Sequence, residues 1–125
     1  MSDPFQWPDF LEVARRLAGD GADEGIQRTA ISRAYYAAFC SAAEYLLQNW
    51  PRLIANQLSH DTVWHAFADP DDSDLWRLFQ NGTSFRAARI RADYQNPMPG
   101  KSVESQLSDA LRQSRRALDA LERIR

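Results

Sequence analysis

Apolar residues recur at spacings of three and four along most of this chain, which is the pattern of amphipathic helices. The glycines and prolines lie mainly between these stretches, and no convincing strand pattern is present. The pattern therefore predicts an all-α protein in which helices are separated by turns. We place the helices at residues 8 to 18, 24 to 49, 59 to 67, 74 to 94, and from 102 to near the end of the chain.

The second segment is the longest and is predicted to be the central helix. It carries a stripe of small residues, which would let another helix backbone approach closely. Pro51 should end this helix near Trp50, because the residue before a proline avoids the helical region. The stripe consists of Ala30, Ala34, Ala37, Ala38, Ser41 and Ala42.

Turn and capping residues mark the later boundaries. Ser59 is a suitable N-cap for the third helix, which would carry Val63, Trp64 and Phe67 inward. The run Asn-Gly-Thr-Ser at 81 to 84 leaves two alternatives for the fourth segment, one continuous helix or two shorter ones. Ser102 is predicted to open the last helix.

Composition adds limits on the class of protein. The 125 residues suit a single domain, and 44% hydrophobic with 26% charged residues excludes intrinsic disorder. A net charge of −2 excludes nucleic-acid binding by bulk charge alone, although a local basic patch remains compatible with it. Cys40 is the only cysteine, no apolar run suits a membrane span, and Met1 to Pro4 lack the order of a signal peptide. We therefore expect a cytoplasmic protein that has no membrane association.

No residue pattern predicts a metal or a cofactor. The acidic run from 69 to 74 lacks the glycine and glutamate that a calcium loop needs at its sixth and twelfth positions. His60 and His65 would lie about 140° apart on a helix, so they do not form a zinc pair. His60 is instead expected to cap its helix or to contact a neighbouring one. Glycine-rich phosphate loops and nucleophile elbows do not occur.

Two clusters of arginine and tyrosine rise above this background. The first, from 28 to 39 in the central helix, includes Arg33 and the adjacent Tyr35 and Tyr36, which point about 100° apart and cannot both be buried in the same way. The second runs from 86 to 94 and is the best local basic patch. Arg86 and Arg89 share one helix face there, and Arg91 shares another with Tyr94.

Guanidinium groups suit phosphate oxygens, and a neighbouring aromatic ring can stack on a base. The clusters therefore predict nucleic-acid or nucleotide binding. The binding residues would be Arg33, Tyr36, Arg86, Arg89, Arg91 and Tyr94. The alternative is purely structural: Arg89 pairs with Asp93 four residues later, and Tyr94 simply packs.

Taken together, these clusters resemble the HEPN superfamily of small helical domains. The resemblance rests on residues 28 to 39, on Ser59 and His60, and on residues 89 to 94, in that order and at that spacing. It implies an up-and-down bundle of four to five helices forming a single HEPN-like domain over residues 1–125. It further implies a homodimer acting in toxin–antitoxin, phage-defence or RNA-processing systems. For many members that lack the histidine of the nuclease signature, it also implies a nucleotidyltransferase-type partner.

Many HEPN proteins are metal-independent ribonucleases, whose signature is an arginine followed, after four to six residues, by a histidine. Arg89 matches that arginine, but Tyr94 stands where the histidine is expected, and both histidines precede Arg89. Unperturbed tyrosine, with a pKa of about 10, is a poor general base at neutral pH.

Three hypotheses follow from the resemblance and the residues. The first is a non-catalytic protein that binds RNA or a nucleotide. The second is an unusual ribonuclease whose catalytic residues are Arg89 and Tyr94, with His60 lending a proton if the fold brings it close. The third is an interaction module that has no role with nucleic acid.

Overall fold

The structure of the protein, a computed structural model, describes residues 3–54 and 58–125. Over these residues it is helical, with no strand. The helices are α1 (Asp9–Leu17), α2 (Glu24–Asn49), α3 (Pro51–Ile54), α4 (His60–His65), α5 (Ser73–Tyr94) and α6 (Val103–Ile124). The prediction that no signal peptide is present rests partly on Met1 and Ser2, which lie outside the described residues. No helix in the described ranges has the length and apolar character to cross a membrane.

Short polar side chains begin the helices where the sequence predicts them. The Ser59 hydroxyl accepts a hydrogen bond from the Thr62 amide at 3.2 Å, and the Ser102 hydroxyl accepts one from the Ser105 amide at 3.1 Å. Asp23 caps α2 in the same way, by accepting from the Ile26 amide. Each cap satisfies a backbone donor that has no partner within its own helix.

Helix α2 is the centre of the fold, as predicted, and it packs against each of the other helices. All six residues of its small-residue stripe are buried inside this one chain. The stripe thus serves close packing between helices of the same molecule. Tyr35 is fully buried whereas the adjacent Tyr36 is only partly buried, which confirms the predicted difference between the two rings.

The number of helices differs from the sequence prediction: the described residues form six helices, whereas four to five were predicted. Helix α2 ends at Asn49 as predicted, and the additional helix is the one-turn α3, which begins at Pro51 because proline at the first helical position loses no hydrogen bond. The alternative of a break at 81 to 84 is wrong, since α5 is continuous from Ser73 to Tyr94. Gly82 is buried in this helix directly against the Trp64 ring, and packing there outweighs its weak helix propensity.

Candidate functional site

Arg89 is the centre of the candidate site, and it is almost fully buried, at 6% exposure. Its guanidinium carbon lies 5.4 Å from the ring centre of Tyr35, 5.5 Å from that of Tyr36 and 6.0 Å from that of Tyr94. Helix α2 supplies the first two rings because it packs alongside α5. Cation–π attraction to the three rings offsets part of the cost of burying this charge.

The charge of Arg89 has only one carboxylate partner among the described residues. Asp93 Oδ2 accepts a hydrogen bond from Arg89 Nη1 at 3.5 Å and another from the Ser32 hydroxyl at 3.2 Å. The predicted pairing of Arg89 with Asp93 is therefore present, but it is long. Arg89 Nε is buried and has no hydrogen-bond partner in the described part of the chain. The cation is thus incompletely satisfied.

His60 reaches the same place from the start of α4. Its Nδ1 lies 2.7 Å from the hydroxyl of Tyr35, and the indole Nε1 of Trp64 donates to that hydroxyl at 3.0 Å. The His60 ring stacks on Phe39 with ring centres 4.2 Å apart. All three polar groups are used if Tyr35 accepts from Trp64 and donates to His60, which leaves the imidazole proton on Nε2. His60 contacts a neighbouring helix, as predicted.

The environment of the hydrogen bonds that join Trp64, Tyr35 and His60 favours the neutral forms of Tyr35 and His60. Burial lowers the pKa of His60, and the positive charges of Arg89 and then Arg86 lower it further. Burial also raises the pKa of Tyr35 well above its usual value. At pH 7 the His60 imidazole and the Tyr35 phenol are therefore both uncharged.

The lowered pKa of His60 predicts a pH dependence of stability. The unfolded chain binds a proton at His60 more readily than the folded chain does, so this contribution to stability is complete above the ordinary value of 6.5 and is lost as the pH falls below it. Urea midpoints at pH 7.5 and pH 5.5 measure the loss. The loss should be smaller in His60→Gln, whereas His65→Gln retains His60 and should behave like the parent. An equal loss in the parent and in His60→Gln would contradict the prediction.

Arg86 and Arg33 extend the site along the surface. Arg86 Nη1 donates to Asp61 at 2.5 Å, whereas Arg86 Nε is buried without a partner in the described residues. The Arg33 guanidinium lies 4.8 Å from the ring centre of Phe10 and 5.0 Å from that of Tyr36. We call the set formed by Arg33, Tyr35, Tyr36, Phe39, His60, Arg86, Arg89 and Tyr94 the Arg89 cluster.

Two other arginines of the predicted clusters lie apart from this set. Arg91 faces α6, where its Nε donates to Gln106 at 3.3 Å. Arg28 donates to the backbone carbonyls of Ala92 and Gln95 at 3.3 and 2.7 Å, so it stabilises the C-terminal end of α5. The structure thus brings Arg33, Tyr36, Arg86, Arg89 and Tyr94 into one region but not Arg91.

Sequence reasoning missed the contribution of Tyr35, Phe39 and Trp64 to this site. Tyr35 precedes Trp64 by 29 residues and His60 by 25, and these residues meet only because α4 folds back onto α2. An adjacent pair of tyrosines was the one local signal. That signal placed Tyr36 among the predicted binding residues, whereas Tyr35 carries the hydrogen bonds.

The described residues contain no group of three or more histidine, cysteine or acidic side chains arranged to hold a metal ion. The exposed ring of Tyr94 and the partly exposed Arg86 make the cluster suited to holding an anion beside a planar group. Comparisons with protein-family models, with curated proteins and with solved structures found no match to this chain.

Proposed function

We propose that this chain is a HEPN-like protein that binds RNA or a nucleotide through the Arg89 cluster and does not cleave it. The observation that carries the proposal is the state of Arg89. Its guanidinium is buried among three aromatic rings and has one long carboxylate contact, and its Nε has no hydrogen-bond partner in the described part of the chain. The charge therefore keeps a positive field at the surface. That field favours a phosphate anion next to the cluster.

The ligand would contact the outer members of the cluster. Tyr94 is 75% exposed, and its ring can stack on a base without any rearrangement. Arg86 has 31% of its side chain exposed, enough for its guanidinium to contact a phosphate oxygen. Arg89 itself is too enclosed for broad contact, so it acts mainly through its charge and by holding the tyrosine rings in place.

The geometry supports binding more than catalysis. Cleavage of RNA without a metal needs one group that accepts a proton and another that donates one. The Nδ1 of His60 is already engaged by Tyr35, and the raised pKa of Tyr35 keeps its hydroxyl protonated at neutral pH, so it does not accept a proton from RNA. No histidine follows Arg89 in the sequence.

The alternative function is a metal-independent ribonuclease that has Tyr94 in place of the usual histidine. One observation favours it: His60 is uncharged and belongs to the same cluster as Arg89 and Tyr94. A neutral imidazole is the form that accepts a proton. In that case Arg89 would stabilise negative charge on the phosphate, and Tyr94 would supply its hydroxyl.

The proposal includes the setting and the partners that the HEPN resemblance implies. These are a toxin–antitoxin, defence or RNA-processing system, a homodimer, and a nucleotidyltransferase-type protein as partner. Because the small-residue stripe is buried within the chain, the dimer contact has to use surface residues outside the stripe.

Substitutions at Tyr94, Arg86 and Arg89 test the binding function. Tyr94→Ala should raise the Kd for a single-stranded oligoribonucleotide about tenfold, since stacking of one base contributes about 1 to 3 kcal/mol. Arg86→Ala should weaken binding at low salt and reduce the slope of log K against log salt by about one, because Arg86 contacts a phosphate. Arg89→Ala should weaken binding at low salt with a smaller change of slope, because Arg89 acts mainly through its charge. Fluorescence anisotropy of a labelled oligonucleotide at four salt concentrations measures both quantities.

Two further variants make this test specific. Arg115→Ala removes an exposed arginine whose partner is Asp119 on α6, away from the cluster, and should bind as the parent does. Tyr94→Phe keeps the ring and should also bind normally. Unchanged binding in all the cluster variants would refute the phosphate contact. Cleavage of RNA in EDTA by the parent, lost in Tyr94→Phe, would instead establish the ribonuclease alternative.

A further inference from the structure

A cavity of about 260 Å³ lies between α5 and α6, and none of the residues of the Arg89 cluster lines it. The volume is close to the lower end of the range for sites that bind small molecules. The cavity therefore suits a ligand of one or two fused rings. Its floor is apolar and buried, and consists of Trp64, Leu78, Gly82, Phe85 and Ala120.

Gly82 gives this floor its aromatic character. Because Gly82 has no side chain, the six-membered ring of Trp64 lies directly against the backbone of α5. Phe85, about one turn further along α5, adds a second aromatic ring to the lining. Apolar surface and aromatic rings favour a planar, apolar body in the ligand.

The rim of the cavity is exposed to solvent and mostly positive. Arg123 donates to Asp74 at 3.3 Å, and Asp119 accepts from Arg115 at 3.1 Å. Arg77 and Arg116 form no ion pair with any of the described residues. Two guanidinium groups, one on each helix, are therefore available to an anion at the opening. The charged residues of the rim are Arg77, Arg116, Asp119 and Arg123.

The acidic residues near the opening favour a ligand with a single negative charge. Asp119 belongs to the lining, and Asp74 lies beside Arg123. Both carboxylates would repel a phosphate monoester, whose charge at pH 7 is about −1.5 to −2, more strongly than they would repel a carboxylate. A carboxylate also matches the planar donor fork of a guanidinium group.

We propose that this cavity binds a small aromatic carboxylate. The ring lies on the apolar floor, and the carboxylate accepts hydrogen bonds from Arg77 and Arg116 at the rim. The observations that carry the proposal are the buried aromatic floor and the two arginines without ion pairs on opposite sides of the opening. The assignment does not depend on the proposed function, because no residue of the Arg89 cluster takes part.

Isothermal titration calorimetry with 2-naphthoate tests the proposal. The parent should bind one equivalent per chain. Arg77→Ala and Arg116→Ala should each weaken binding about threefold, since each removes one partly solvated, charge-assisted contact. Arg112→Ala removes an arginine of α6 that lies outside the lining, and this variant should bind as the parent does.

A second pair of variants tests the space itself. Ala117 lines the cavity and is only partly buried, so the leucine side chain in Ala117→Leu can occupy the space of the ring and should abolish binding. Ala87→Leu, at an exposed position of α5 outside the lining, is the matched control and should bind normally. Thermal denaturation establishes that both variants are folded. In NMR spectra of the parent, 2-naphthoate should shift the amide signals of Gly82 and Ala117 but not that of Tyr94.

Two analogues of the probe test the class of ligand. 2-Naphthamide, which has the ring without the charge, should bind about tenfold more weakly than 2-naphthoate. 2-Naphthyl phosphate should also bind more weakly, and tighter binding of this phosphate would overturn the carboxylate assignment. No heat of binding with millimolar 2-naphthoate, or parental binding by folded Ala117→Leu, would overturn the proposal as a whole. Loss of binding in Tyr94→Ala together with normal binding in Arg116→Ala would place the ring at the Arg89 cluster instead.

Discussion

Replacing Gly82 with alanine should destabilise the fold by about 2 kcal/mol, although alanine is the better helix former. A Cβ atom at this position would overlap Cδ2 and Cε3 of Trp64. The Trp64 ring is only 1% exposed and cannot swing into solvent. Overpacking of a close-packed core costs about 1 to 3 kcal/mol. This cost exceeds the gain of about 1 kcal/mol in helix propensity, because neighbouring helices must move to make room for the added Cβ atom.

Chemical denaturation of matched variants measures this effect. Gly25→Ala is the control, because its added Cβ would meet only Asp23 Oδ1, at an ordinary 3.5 Å, and the variant should be as stable as the parent or slightly more so. Trp64→Leu removes the obstructing ring, so Gly82→Ala should cost little in that background. Gly82→Ala with parental stability would mean that the Trp64 ring does not lie against α5 as described.

Removing the Tyr35 hydroxyl should be similarly costly, at about 2 kcal/mol for Tyr35→Phe. That hydroxyl joins Trp64 Nε1 at 3.0 Å to His60 Nδ1 at 2.7 Å. Phenylalanine preserves the ring contacts but leaves a buried indole donor without its partner, and an unpaired buried group costs about 1 to 3 kcal/mol. His60 loses the contact that orients its ring as well.

The control for this change is Tyr45→Phe. The Tyr45 hydroxyl donates to the backbone carbonyl of Ile124 at 3.2 Å, close to the end of the chain, so its loss should cost less. Urea denaturation compares the two variants, and NMR follows the indole resonances. The signal of Trp64 should shift in Tyr35→Phe more than those of the other three tryptophans. Equal stabilities of Tyr35→Phe and the parent would show that the hydroxyl does not bridge the two groups.

The local sequence was sufficient for the helices that have strong caps and a clear period. Ser59, Ser102 and the 24 to 49 segment mark elements whose boundaries depend on nearest-neighbour chemistry. The run at 81 to 84 could not be settled in this way. Glycine and asparagine favour a break in isolation, and only the Trp64 ring, 18 residues earlier in the chain, selects the continuous helix.

The sequence alone determined the all-helical class, the central position of α2 and the presence of two arginine and tyrosine clusters. These follow from periodicity and residue type, which act over a few neighbouring positions. The tertiary structure alone decided which members meet. It joined Arg89 to three tyrosine rings, connected His60 to Trp64 through Tyr35, and turned Arg91 towards Gln106. Such contacts depend on how helices pack across long separations in the chain, and no local pattern of residues encodes that packing by itself.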